Sequence, residues 1–257
     1  MSMQVLKSTP STMDAARENL LQGRVSFDNA GCSEPQGVIT WDQTAGRGQS
    51  GRTWHSLPGE SLCATYYFRH GMASPPNAGP IALLAGVAVA EALQRRISQE
   101  GPDAPVLGLK WPNDVLLNGR KVAGILIEML KAPDDAWTAL IGVGVNLTVR
   151  AFPPEIAAQA TSLLLEGVPS ASWQELGQEI ANALHRQAEL YAQAGFTAVL
   201  DRWRVYDRTQ GLRYQAEQDG AIVRGIAESV EESGALRLRL EDGGVLTVRA
   251  VSSITEV

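Results

Sequence analysis

The chain has only two cysteines, Cys32 and Cys63, and three histidines, His55, His70 and His185, in 257 residues. Two isolated thiols make neither a disulfide framework nor a metal-binding pair, and the histidines lack the spacing or neighbouring carboxylates that zinc requires. No protein-built metal site is therefore expected. The longest mainly apolar run, Ile81 to Leu93, is interrupted by Glu91 and is too short to cross a bilayer as a helix. No membrane association is expected. The first residues carry Lys7, Asp14, Arg17 and Glu18 without an apolar segment or a small-residue cleavage site, so a secretory signal is not expected and a cytoplasmic location fits best. An excess of positive charge is also missing, because 28 acidic side chains outweigh 22 basic ones and leave a formal charge of −6. That balance argues against broad, nonspecific nucleic-acid binding, which needs many phosphate-neutralising cations. No internal repeat or low-complexity tract appears.

What is present, 44% hydrophobic and 19% charged residues, suits a globular enzyme with one large and one small domain. Ser11 to Gln22 reads as a capped helix, with Asp14 in its first turn and Gly23 after it. Gly37 to Asp42 and Ser61 to Phe68 read as strands, the second placing Leu62, Ala64, Tyr66 and Phe68 on one face. Ile81 to Gln99 is a helix whose apolar first half packs on the sheet. Val115 to Leu117, Asn118-Gly119, then Lys121 to Met129 spell a tight hairpin, followed by a strand over Ala139 to Leu147. Helical patterns cover parts of Pro154 to Glu166, most of Ser172 to Ala194, and Phe196 to Val205. From about Thr209 the runs Leu212 to Glu217, Ala221 to Glu228, Ala235 to Leu240 and Val245 to Ala250, separated by Asp219-Gly220, Ser233-Gly234 and Asp242-Gly243-Gly244, suggest a small β-barrel. The expected fold is α+β, with a mixed sheet and packed helices over residues 1–207 and the barrel over residues 208–257.

Three constellations carry chemistry. In the first, Gln43 to Trp54, glycines Gly46, Gly48 and Gly51 allow close backbone approach while Arg47 and Arg52 supply fixed positive charge. It matches GxGxxG, but a dinucleotide fingerprint should open a helix, and here Trp54, Pro58 and Gly59 lead into a strand. A solvent-exposed turn and an anion-binding loop stay open as readings of this segment alone. The second is Lys110-Trp111-Pro112-Asn113-Asp114, a turn at a strand end; taken alone it is an ordinary turn with a surface lysine, but the hairpin brings Lys121 back toward Lys110. Two lysines and the loop arginines suit a polyphosphate. Third, alternation in Ala139 to Leu147 places Gly142, Gly144 and Asn146 on one face, and Gly124 extends that bare floor. Either a ligand or a tightly packed helix would fit over it.

In order, GRGQSGRTW, KWPNDVLLNGRKVAGILIE and IGVGVN resemble the catalytic core of biotin-protein ligases, and the early Ser11-Thr12 pair and the small C-terminal barrel extend the resemblance along the chain. The resemblance implies a class II aminoacyl-tRNA synthetase-like catalytic domain and an SH3-like barrel. It implies activation of biotin by ATP with Mg²⁺ to biotinyl-AMP, then transfer to a lysine of a biotin carboxyl carrier protein domain, and it allows a homodimer. It implies biotin-side roles for Ser11, Thr12, Met13, Gln43, Gly46, Arg47, Gly48, Gln49, Lys110, Gly124, Gly142 and Gly144. It implies nucleotide-side roles for Arg52, Trp54, Asn113, Lys121 and Asn146, with Lys110 and Arg47 catalytic and Trp54 offering a ring to adenine. Many family members carry an arginine where this chain has Gln49, which bears on retention of the adenylate. A lipoate or octanoate ligase or transferase is the near alternative, although no nucleophilic cysteine or lipoate-type motif stands out. A biotin-responsive DNA-binding regulator is disfavoured, because only ten residues precede Ser11 and no helix-turn-helix is expected.

Overall fold

A computed structural model describes residues 2–27, 36–69, 77–98, 101, 104–169, 172–218, 221–249 and 254–256. Cys32, His70, Gln99, the Asp219-Gly220 turn and Ala250 lie outside the described residues. Strand β1 (Ser2–Leu6) runs parallel to β2 (Gln36–Thr40), and helix α1 (Thr12–Leu21) connects their layer to the site. Ser11 caps α1 by accepting from the Asp14 amide, satisfying one of the orphan donors of the first turn. Strand β3 (Ser61–Phe68) has the limits that the sequence pattern gave. Helix α2 (Ala78–Ile97) starts at Asn77, whose side chain accepts from Gly79 N, and is buried continuously from Ile81 to Ala90. Then follow β4 (Leu107–Lys110), β5 (Asp114–Leu117), β6 (Arg120–Lys131) and β7 (Trp137–Asn146). The β5–β6 turn has Asn118 at φ 49° and Gly119 at φ 78°, the two positive angles that an Asn-Gly hairpin requires.

These strands form one mixed sheet in the order β1-β2-β3-β7-β6-β5-β4, in which β1–β2 is the parallel pair. Because successive side chains alternate, β3 and β7 send Leu62, Ala64, Tyr66, Ile141, Val143 and Val145 into the core under α2. The opposite face receives Met13, Ala16 and Leu20 of α1 over Val38, Tyr67 and Leu140. Each such fully buried aliphatic side chain contributes about 1.5–3 kcal/mol relative to exposure.

Helix α3 (Trp173–Tyr206) is two helices joined at Gly195, whose φ of 77° and ψ of 178° are not helical; this matches separate segments before and after Ala194. The expected helix in Pro154 to Glu166 is a correction: the segment forms turns instead. Its backbone is drawn into the sheet, where Thr161 N donates to Lys121 O (2.9 Å) and Leu163 N donates to Asn146 O (3.1 Å). Those non-local bonds override a local helical pattern.

A second, antiparallel sheet contains β8 (Arg213–Gln218), β9 (Ala221–Val230), β10 (Leu236–Leu240), β11 (Val245–Val248) and β12 (Ile254–Glu256), in the order β11-β10-β9-β8-β12. The final strand had no counterpart in the sequence reading. This sheet is tied to the first through Trp111, 1% exposed. Trp111 N donates to Thr209 Oγ1 (2.8 Å), its indole Nε1 donates to Gly234 O (3.0 Å), and its carbonyl accepts from Tyr214 Oη (3.2 Å). Tyr214, Ala227, Val230, Leu236 and Leu238 accordingly join the apolar core of the larger sheet.

Candidate active site

The glycine loop turns back on itself. Gly48 N donates to Arg52 O (2.7 Å), Arg52 N to Gln49 O (3.1 Å) and Trp54 N to Gly46 O (3.0 Å), around a single 3-10 turn at Gln49–Gly51. A side chain at Gly46 would stand 2.7 Å from Gln43 Nε2 and 2.8 Å from Trp54 O, so only glycine closes this turn without displacing backbone. The loop does not open a helix, in keeping with the rejection of a dinucleotide fingerprint.

The turned loop, α1 and the bare face of β6 and β7 enclose a half-open cleft of about 520 Å³, its mouth included. Lining it are Ser11, Thr12, Met13, Gln43, Arg47, Gly48, Gln49, Trp54, Asn113, Lys121, Gly124, Gly142 and Gly144. The motifs separated by up to 133 positions are thereby brought to one place. Gly46, Arg52, Lys110 and Asn146 do not line it. Gly46 forms the turn; Arg52 is exposed at its end; Lys110 ends β4 beside Asp114; Asn146 is buried with its amide on Thr161 O (3.0 Å).

The glycine floor is covered, at Gly142 by Met13 of helix α1 and at Gly124 and Gly144 by the ring of Trp54. Gly124 and Gly144 are register partners on adjacent strands. A methyl group added at Gly144 would stand 2.6 Å from Cζ2 and 2.8 Å from Nε1 of Trp54, and one at Gly142 would stand 2.7 Å from the terminal methyl of Met13. Trp54, grouped with the nucleotide residues above, therefore lies on glycines grouped with biotin. Lys121 Nζ sits 6.0 Å from the Trp54 ring, within cation–π range.

Positive charge in the site is held by acids that spacing alone did not single out. Arg47 makes a two-pronged contact to Asp14, Nη1 to Oδ2 at 2.7 Å and Nη2 to Oδ1 at 2.6 Å. Arg17 bonds Asp14 (2.8 Å) and also Glu128, which lies 3.6 Å from Arg47. The Arg47 hydrogen bond holds the Asp14 carboxyl below its ordinary range, and the same bond raises the arginine. Asp114 similarly serves two lysines, Lys110 at 3.4 Å and Lys121 in closer contact. Each cation is thus oriented before any anion arrives.

A polar relay supports the other wall. Thr12 N and Oγ1 donate to Gln43 Oε1 (2.8 and 3.1 Å), and Thr65 Oγ1 donates to Thr12 Oγ1 (3.0 Å). Thr65, Cys63, Ala64, Ile125, Leu126 and Val143 complete the lining and were missed. Period-two reading of β3 could have found Cys63 and Thr65, which oppose the apolar row, and the same reading of β6 aligns Glu128 with Gly124. Burial pushes the Cys63 thiol up to about 12, so it stays protonated.

The strand order and the loop-over-sheet cleft define a mixed α+β fold, and the chain belongs to the biotin/lipoate A/B protein ligase family, which matches residues 5–146. It is 32% identical over 221 residues to the biotin--[acetyl-CoA-carboxylase] ligase of Mycobacterium tuberculosis, covering 86% of this chain and 78% of that protein. It is 29% identical over 225 residues to the bifunctional ligase/repressor BirA of Bacillus spizizenii, covering 86% of this chain and 67% of that longer protein. The biotin protein ligase from Aquifex aeolicus, solved with biotin and ATP, superposes with a TM-score of 0.78 at 23% identity, over 100% of this chain and 99% of that one. That likeness extends the shared fold over both sheets.

Proposed function

We propose that the protein is an ATP-dependent biotin-protein ligase. The observation that carries this reading is the meeting of the glycine loop, Lys121 and Asn113 with the Ser11-Thr12 helix start in one cleft over the glycines Gly124, Gly142 and Gly144 of the sheet. Apolar walls from Met13, Trp54 and Leu126 suit the bicyclic ring of biotin, and the Thr12–Gln43–Thr65 relay offers oriented polar groups beside them. The adjacent Trp54 ring and Lys121 suit an adenine and its phosphates. Relatives that are biotin--[acetyl-CoA-carboxylase] ligases support the same choice over lipoate transfer.

In the reaction, a carboxylate oxygen of biotin attacks the α-phosphorus of ATP, the bond to the β-phosphate bridging oxygen breaks, and pyrophosphate leaves. The two reactants repel each other. Arg47 and Lys121, already fixed by Asp14 and Asp114, would neutralise charge as it develops, with Lys110 reinforcing the field from behind Asp114. A lysine amine of a carrier domain then attacks the acyl carbon of the mixed anhydride, forming the amide and releasing AMP. Positioning of both substrates over the floor supplies much of the remaining acceleration.

Mg²⁺ belongs to this scheme as part of the nucleotide substrate. Among the described residues no group of three His, Cys, Asp or Glu side chains is placed to hold a metal ion, and Asp114 is engaged by two lysines. The residues present do not form a protein-built cage, and magnesium commonly relies on phosphates and water. We read residues 1–207 as a class II synthetase-like catalytic unit and residues 208–257 as an SH3-like barrel, a division supported by the end of α3 at Tyr206 and the antiparallel order of the second sheet.

The test supplies the purified chain with ATP, Mg²⁺ and biotin, with and without a biotin carboxyl carrier domain. Biotin-dependent pyrophosphate release and labelling of one carrier lysine are expected. Release driven by lipoate or octanoate but not by biotin would overturn the reading.

A further inference from the structure

Glu166 is a carboxylate with a side chain only 4% exposed, and it stands apart from the cleft lining. Three side chains from two segments converge on it. Asn118 Nδ2 of the hairpin turn donates to Oε2 (2.7 Å), while Arg120 Nη2 at the start of β6 (2.6 Å) and Thr161 Oγ1 (2.5 Å) donate to Oε1. A buried carboxylate is costly unless its lone pairs are filled in this way.

The destination of those bonds gives the arrangement its meaning. Thr161 is fully buried, and its carbonyl accepts from Asn146 Nδ2 (3.0 Å) while its amide donates to Lys121 O (2.9 Å). Lys121 N in turn donates to Gln159 O (2.7 Å), so residues 159–161 lie as a parallel strap along the start of β6. The strap holds a nucleotide-side lysine by its backbone and a nucleotide-side asparagine by its side chain. Glu166 grips both the strap and the hairpin that carries Lys121.

We propose that Glu166 is a positioning residue for the nucleotide half of the site, acting through Thr161 on Asn146 and Lys121. This rests on the ligase reading above, in which Lys121 faces the phosphates of ATP, while Asn146 is the buried side chain that ties the strap to the end of β7. The biotin half is fixed by a separate set of bonds, Thr12–Gln43–Thr65 and Asp14–Arg47, that shares no hydrogen-bonding residue with the Glu166 set. Loss of Glu166 should therefore separate the two ligands. A carboxylate that merely stabilised the fold would affect both alike.

The experiment measures calorimetric binding of biotin alone, and of an ATP analogue with an α,β-methylene bridge in the presence of biotin, to wild type, Glu166→Ala and Thr161→Val. Thr161→Val keeps the shape and backbone bonds of the strap but removes the hydroxyl that links it to Glu166, so it decides the matter if Glu166→Ala fails to fold. Expected is roughly tenfold weaker analogue binding for Glu166→Ala, a smaller loss in the same direction for Thr161→Val, and unchanged biotin affinity in both. Equal losses for the two ligands, or unchanged analogue binding, would overturn the positioning role. A wild-type protein that binds neither ligand would overturn the ligase reading together with it, whereas a wild type that binds both with insensitive variants sinks the Glu166 role alone.

Discussion

Replacing Gly144 by alanine would place a methyl group into the face of Trp54, and comparison with Gly142→Ala converts that clash into a measurable contrast. The new carbon at position 144 would stand 2.6 Å from Cζ2 and 2.8 Å from Nε1, with Cε2 nearer still. Favourable carbon contacts lie near 3.5–4.0 Å, so the whole ring must move by roughly 1 Å. It cannot slide with its backbone fixed, because Trp54 N is bonded to Gly46 O and Gly46 itself has no room. Relief comes from lifting the loop. Overpacking of this kind costs about 1–3 kcal/mol, a factor of roughly 5–150 in an equilibrium. The cost should fall mainly on loop closure and hence on biotin-dependent pyrophosphate release. At Gly142 the atom met is the terminal methyl of Met13, and the next neighbours are at 3.4 and 3.6 Å. Met13 escapes by a rotamer change costing under about 1.5 kcal/mol. With denaturant melts run alongside, Gly144→Ala is expected to lose about tenfold or more in release while Gly142→Ala keeps most activity. Equal effects, or a fully active Gly144→Ala, would refute the placement of the indole on the floor.

Lys110→Ala should keep a cooperative melting curve, since its Nζ is partly exposed and its contact to Asp114 is long at 3.4 Å, yet slow pyrophosphate release by orders of magnitude; near-normal release would remove Lys110 from the chemistry. Cys63, at about 12 against an ordinary 9.0, should resist iodoacetamide at pH 8, where roughly one molecule in ten thousand carries a thiolate. Its raised value means that the stabilising contribution is complete below pH 9.0 and is lost as pH climbs toward about 12, because the unfolded chain ionises first. Rapid labelling of the folded protein at pH 8 would contradict that burial.

Local chemistry was the legible part of this sequence. The Asn118-Gly119 hairpin depends on two backbone angles that those residue types supply by themselves, and β3 is bounded by turn residues on both sides. Alternation likewise put Gly142, Gly144 and Asn146 on one face of β7. What could not be read depends on distant partners. Short β1 exists by pairing with β2 across 34 positions, and the segment around Thr161 exchanges its helical pattern for bonds to Lys121 and Asn146. Within the candidate site the same limit applies: spacing located Arg47 and Lys121 but not Asp14, Glu128 and Asp114 as the acids that aim them, nor Trp54 as the cover of the glycine floor. Motif membership also gave no measure of reach, since Arg52 and Lys110 stand outside the cleft lining.

Trp111 has a mechanical consequence for its neighbour Lys110. Immediately before Lys110, Leu109 O receives the amide of Arg208 (2.8 Å); immediately after it, Trp111 is gripped by Thr209, Tyr214 and Gly234. The lysine is therefore suspended between two fixings that both originate beyond residue 206. Sequence changes at the seat of Trp111, outside the cleft lining, would thus be felt first in the placement of Lys110 and of its partner Asp114.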